Sequence, residues 1–311
     1  MLLKALSQSL RPGRVAVLGD VFVDILFADL DADPEPGKEV YASRFAIEPG
    51  GHGITAVTLA RLGRPVSLGT VLGTDHLAES IMRRLEAEGV DTACVVRAED
   101  ATPITAAITY RGDRSFVTYG GRGAAALYEE AAERALGVGP SHLHLSAGHV
   151  AADRLLDAAE AAGMSVSLSI GWHPRLFASA ALESRMARAT IVALNEREAL
   201  AVSGEDALDK AVERLAGRCQ WLLVTLGPAG SLLASGERRW RAAAAAAQPV
   251  DTTGAGDVFF AALVDGAMTG LGEQAALERA SYVAARAVEH IGGATGVPRR
   301  EGDSALAPLG T

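Results

Sequence analysis

Asp257 closes the run Val250-Asp251-Thr252-Thr253-Gly254-Ala255-Gly256-Asp257, and a mostly apolar stretch from Val258 to Val264 follows it. Those apolar positions cover much of a helix surface, so the spacing predicts a largely buried helix over roughly 256–264. Gly254 and Gly256 lack a Cβ and let the backbone come close to a ligand. A helix start also presents unpaired amides, and the macrodipole adds partial positive charge there. Such a place suits an anion. A carboxylate beside it is out of place unless it takes part in the chemistry. At the mouth of a phosphate cradle it can accept the proton of an attacking hydroxyl during phosphoryl transfer. The same residues also fit a tight turn in which Asp251 or Asp257 merely caps the helix.

Other polar groupings stand where elements end. Arg14-Val15-Ala16-Val17-Leu18-Gly19 reads as a buried parallel strand, and Asp20 and Asp24 follow it. Open α/β sheets place ligands at that end of a strand, although acids there also serve simply to solvate a loop. Glu48-Pro49-Gly50-Gly51-His52-Gly53 is a Gly-rich turn entering an amphipathic helix that stops at Gly63. Asn195 with Glu198 three residues on spells a variant of the helix capping box. Trp221 to Ser231 reads as a buried strand and a turn containing Gly227 and Gly230. His142 and His144 share a strand face with His149 nearby, but no acid or cysteine completes a metal-ligand set.

The string 251–257 resembles the C-terminal signature of the PfkB/ribokinase family of carbohydrate kinases, Asp-Thr-x-Gly-Ala-Gly-Asp, at every fixed position. Three further motifs match in order: the Gly50-Gly51 turn, Asn195-x-x-Glu198, and a nucleotide loop with Thr225, Gly227 and Gly230. The resemblance implies an anion hole at Gly254, Ala255 and Gly256, with Asp257 as catalytic base. It implies sugar binding by Asp24, Gly50, Gly51 and Thr55, and nucleotide binding by Asn195, Thr225, Gly227 and Gly230. Glu198 would act on Mg2+ through water. Asp251, Thr253, Ala287 and Gly292 match positions around a monovalent cation such as K+. The implied reaction is ATP-dependent phosphorylation of a primary hydroxyl on a sugar or sugar-like molecule. Thr55 stands where ribokinases usually carry Asn, and His52 where they carry Lys, which weakens any case for ribose itself. The roles of His52 and of the Gly171–Arg175 loop are not legible.

The elements that must position these residues alternate strand and helix over most of the chain. The implied fold is a ribokinase-like three-layer α/β/α sandwich in one domain, 1–311. The alternation breaks at about 25–48 and 92–122, where strands cluster, and the resemblance makes these a small β-sheet lid that excludes water. Arg111-Gly112-Asp113-Arg114 is a hairpin turn between Ile104–Tyr110 and Ser115–Tyr119. The six alanines at 242–247 favour helix, but the family resemblance implies an extended segment. Pro298 to Thr311 reads as a loose polar tail.

Composition bounds the rest. Hydrophobic residues are 49% and charged residues 22% of 311, enough to bury a large core. A formal charge of −9 argues against a nucleic-acid or anionic-membrane partner. Cys94 and Cys219 lie far apart, as reduced thiols of a cytoplasmic protein would, and an exposed lid edge could pair in a homodimer. Two rival readings keep the fold: a nucleoside kinase, and a non-catalytic sugar or nucleotide sensor. A Rossmann-type dehydrogenase is disfavoured because no Gly-x-Gly-x-x-Gly follows the first strand.

Overall fold

The structure is a computed structural model that describes residues 4–110, 113–121, 123–303 and 306. Its centre is an eight-stranded sheet in the order Arg238–Ala242, Ser231–Ser235, Trp221–Thr225, Ile191–Asn195, Ser165–Ser169, His142–Ser146, Val15–Leu18, Val66–Gly69. The strands from Val66–Gly69 through Trp221–Thr225 run parallel, and the last two turn back as antiparallel hairpins. Parallel strands covered on both faces are apolar on both, and Val15–Leu18 is buried at every position. Val15 and Val17 pack with helices His52–Arg61, Ala255–Met268 and Glu273–Val288. Ala16 and Leu18 point the other way, against Ala125–Gly137 and Ala152–Ala162. The period of two thus divides one strand between two cores, giving three layers.

A second sheet has four strands in the order Ala42–Pro49, Val23–Leu30, Ile104–Tyr110, Asp113–Tyr119. The stretch from 92 does not join it. Val96–Arg97 instead pairs with Val71–Leu72 in a separate two-stranded sheet, so the second inserted segment enters at Ile104. The turn residues Arg111 and Gly112 lie outside the described residues. Their flanking strands pair antiparallel from Ile104↔Tyr119 to Tyr110↔Asp113.

The alanine-rich segment is extended over Arg238–Ala242 and then irregular. Tertiary bonds outweigh helix propensity there: the Ser281 hydroxyl donates to Ala243 O (2.9 Å) and accepts from Ala245 N (2.8 Å), and Arg286 donates to Ala246 O (2.7 Å). The tail is not loose where it is described. Arg299 pairs with Glu88 at 2.6 Å, Arg300 with Asp265 at 2.7 Å, and Leu306 is fully buried. Its basic residues, read as solvated, find buried acids. Among the described residues, no helix is long and apolar enough to cross a membrane.

Helix Ala255–Met268 runs through the core and is buried from Val258 onward. In its middle Asp265, 0% exposed, takes Arg64 (2.5 Å), Arg279 (2.6 Å) and Arg300 (2.7 Å). Removing one member of such a cluster strands the others' charge in the interior. Asp265→Ala should cost about 3–5 kcal/mol of folding stability. Denaturant unfolding checks this, and a loss below about 1 kcal/mol would contradict the packing described.

Candidate active site

Gly254 is the N-cap of helix Ala255–Met268, at φ 67°, in the left-handed region. A Cβ there would overlap the Ile54 side chain, so both backbone shape and space demand glycine. At Gly256 a Cβ would meet no atom within 4 Å. The helix head therefore opens on free space. Ala255 N turns back to Thr252 O at 3.3 Å, and Asp257 sits in the first turn, partly buried. A helix start beside a carboxylate thus faces open space.

The turn before it is fixed by Asp251, which is 4% exposed. Its Oδ1 accepts from Thr253 N (2.9 Å) and Thr253 Oγ1 (2.6 Å), and its Oδ2 accepts from Gly292 N (3.0 Å). One carboxylate thereby ties the turn to the loop after helix Glu273–Val288. Within that loop, Gly292 O accepts from Thr295 N (3.1 Å) and Ala287 O from His290 N (3.2 Å). Gly292 O keeps a second lone pair, whereas Ala287 O also accepts from Glu289 N.

Asp24 is brought to the same place. It lies in strand Val23–Leu30, buried, and a Cβ on Gly50 would overlap its carboxylate. Gly51 is at φ 55°, and its place is tight against Asp20 O and the Phe22 ring. The glycine pair lets the chain cross directly over Asp24. Thr55 is buried one turn into the helix that follows. Burial, then the charges of Asp257 and Asp251, push the Asp24 carboxyl up to about 7. Burial and then Glu198 push Asp257 up to about 7 as well. Crowded acids of this kind are what a cationic or hydroxyl-bearing ligand would relieve.

Asn195 and Glu198 form the capping box: Asn195 N donates to Glu198 Oε2 (3.0 Å) and Glu198 N donates to Asn195 Oδ1 (2.9 Å). The box leaves Glu198 Oε1 for other partners. Burial raises the Glu198 carboxyl above its usual range. Thr225 ends its strand beside Asn195 in register. Gly227 at φ 57° and Gly230 at φ 96° shape the turn to Ser231, and a Cβ on Gly230 would overlap Ala242 O. Thr225, Gly227 and Gly230 lie beyond Asn195, away from Asp24.

Two features went unread in the sequence. His142 and His144 are rungs of a buried ladder. His142 bonds Ser165 and Ser167 at 2.8 Å each, and His144 Nδ1 bonds Ser167 at 2.8 Å. Burial pushes the His142 imidazole down to about 3, so the ladder is uncharged. His-x-His facing Ser-x-Ser on neighbouring strands was the available signal. The His144 ring then lies between those of His52 (5.6 Å) and Phe260 (5.2 Å), tilted to both, joining helix His52–Arg61 to the Asp257 helix. In the Gly171–Arg175 loop, Trp172 is 56% exposed, packs edge-on to Phe177 and lies under the Arg197 guanidinium at 5.5 Å.

The sequence model of the pfkB family carbohydrate kinases matches residues 13–300. The chain is similar to a Bacillus subtilis ribokinase, 28% identical over 292 residues, covering 92% of this chain and 97% of that one. It is also similar to a Methanothermobacter thermautotrophicus nucleoside kinase, 26% identical over 86% of this chain and 87% of that one. In fold it matches an Escherichia coli protein assigned as ribokinase II and solved with ATP and Mg2+, at TM-score 0.79 and 21% identity, over 93% of this chain and 97% of that one. The chain is a member of the pfkB family of carbohydrate kinases, ATP-dependent phosphotransferases of the ribokinase fold.

Proposed function

We propose that this kinase moves the γ-phosphoryl of ATP to a primary hydroxyl of a sugar or sugar-like molecule, with Asp257 as base. The observation that carries the reading is a carboxylate, displaced to about 7, in the first turn of a helix whose head is open. Asp24 would hold two neighbouring hydroxyls of the acceptor, since one carboxylate accepts two hydrogen bonds. Gly50, Gly51 and Thr55 shape that pocket. Asp257 would take the proton of the attacking hydroxyl while the amides of Gly254, Ala255 and Gly256 stabilise charge on the transferring group. Thr225, Gly227 and Gly230 would receive the nucleotide, with Asn195 at the phosphates. Mg2+, when bound, neutralises charge on the phosphate oxygens. Glu198, buried with one free oxygen near Asp257, fits a water-mediated role on that ion. Closing of the four-stranded sheet over the acceptor would exclude competing water.

Some finer points belong to the same reading. The loop bounded by Asp251, Thr253, Ala287 and Gly292 suits a monovalent cation such as K+, because backbone carbonyls lie there beside a buried carboxylate. The four-stranded sheet exposes Phe45 (57%) and Val117 (69%) on one face, a surface for a second copy. The two free cysteines and the ATP donor fit the cytoplasm. A nucleoside acceptor is the second reading, favoured by the exposed Trp172 ring as a stacking surface. A non-catalytic sensor is disfavoured by the intact acid at Asp257. A panel of sugars, sugar phosphates and nucleosides, read by ATP consumption, separates these.

Asp257→Asn should lower kcat by roughly 10²–10⁴-fold while leaving ATP binding near normal. In the wild type kcat/KM should rise with pH through about 7, because Asp257 and Asp24 act as carboxylates and both are displaced upward. A variant with near-normal turnover, or a rate flat from pH 5.5 to 8, would refute the assignment. Replacing K+ by choline should lower kcat, and sedimentation should return a dimer that Val117→Asp dissociates. An indifferent rate or a monomer would remove the corresponding element.

A further inference from the structure

The sheet that would cover the acceptor and the turn that would hold the phosphoryl group are far apart in sequence. One side chain touches both surroundings. Glu48 lies near the end of strand Ala42–Pro49, immediately before the Pro49-Gly50-Gly51 crossing. Its register partner across the sheet is Asp24. Its carboxylate forks onto Arg84 of helix His76–Ala87 at 2.9 and 3.2 Å. Its methylene stem packs against the loop that follows helix Glu273–Val288. A Cβ on Gly292, at φ 97°, would stand 2.8 Å from Glu48 Cγ and 2.8 Å from Thr295 Oγ1. The amide of Gly292 is the one that donates to Asp251, and Asp251 fixes Thr253 ahead of Gly254.

Around this contact the ion pairs continue. Arg84 also reaches Glu88 at 3.4 Å. Glu88, 5% exposed, accepts both Arg61 nitrogens at 2.8 Å and Arg299 at 2.6 Å. Arg61 comes from the helix that starts at His52, and it donates to Thr295 O (2.6 Å) and Val297 O (2.9 Å). The network therefore joins the sheet, the Gly50–Gly51 helix and the 292–297 loop through fixed bidentate geometry, which is more directional than isolated surface pairs.

We propose that Glu48 and Arg84 are positioning residues that couple the placement of the four-stranded sheet to the turn at Thr253–Gly254. Swinging the sheet away moves the strand that carries Glu48. It withdraws the stem from Gly292 and frees the loop on which the Asp251 clamp depends. With the sheet seated, the clamp is tight and the helix head is set for phosphoryl transfer. Neither residue is among those proposed above to bind acceptor or nucleotide. The functional part of this inference rests on the kinase reading, whereas the mechanical link does not.

The test uses the full chain with Glu48→Gln, Arg84→Gln, and the exchanged pair Glu48→Arg with Arg84→Glu. Amide hydrogen exchange without ligands is read at 251–254 and 290–296, with the nucleotide turn 225–231 as internal reference. Each single variant should speed exchange in both segments by roughly tenfold and leave the reference unchanged, and the exchanged pair should restore part of the protection. Kinetics with MgATP and the best acceptor among ribose, fructose and adenosine should show kcat lower by roughly tenfold with KM for ATP within about twofold. Protection at 251–254 that stays at the wild-type level in both single variants overturns the link. Equal loss at 225–231 overturns it too, since that would mark general destabilisation. A wild type that phosphorylates none of the three acceptors counts against the kinase reading, while the exchange measurements still decide the link.

Discussion

The carboxylate of Asp251 accepts three hydrogen bonds, from Thr253 N, Thr253 Oγ1 and Gly292 N, in a position closed to solvent. This clamp lets a turn built of small residues hold one shape. Gly254 then caps the helix in the left-handed region, and the space beside Gly256 is open. Losing one of the three donors would leave a buried charge short of a partner, so each donor matters to the turn. The rest of the molecule can be understood as what holds its two ends. Helix Ala255–Met268 is anchored through Asp265 and three arginines, and the 292 loop through Arg61 and the packing of Glu48.

The site keeps its acids at a cost in stability. Asp24 and Asp257 are both displaced to about 7, mainly by burial, then by the charges of Asp257 and Asp251 for Asp24 and of Glu198 for Asp257. A carboxyl whose folded value lies above its unfolded value stabilises the fold fully only below the unfolded value. That contribution is lost as pH rises through about 7. At neutral pH the unliganded site therefore works against the fold, and a cation or the acceptor's hydroxyls would offset that. The neutral histidine ladder under the site adds no further charge there.

Much of this was legible in the sequence, for identifiable reasons. Buried parallel strands and their glycine stops leave continuous apolar runs, so the central sheet could be read residue by residue. The string Asp251–Asp257 carries its geometry in its glycines, which have to be glycines where φ is positive or a neighbour's side chain intrudes. The sheet insertion beginning at Ile104 rather than near 92 was not legible, because Val96–Arg97 is a strand by composition and only its partner Val71–Leu72 assigns it elsewhere. Tertiary contacts also decide Pro298 onward, where polar residues find buried acids distant in sequence. Glu48 gave no signal because its partners lie on a helix and a loop separated from it by long stretches of chain.

The most direct test of the central claim is a crystal structure with MgADP, a planar fluoroaluminate and the best acceptor from the substrate panel. The account predicts the fluoroaluminate within hydrogen-bond reach of the amides at Gly254–Gly256, and the acceptor's primary hydroxyl about 2.6–3.2 Å from an oxygen of Asp257. A fluoroaluminate bound away from that helix head, or a hydroxyl facing some other group while Asp257 stands apart, would contradict it.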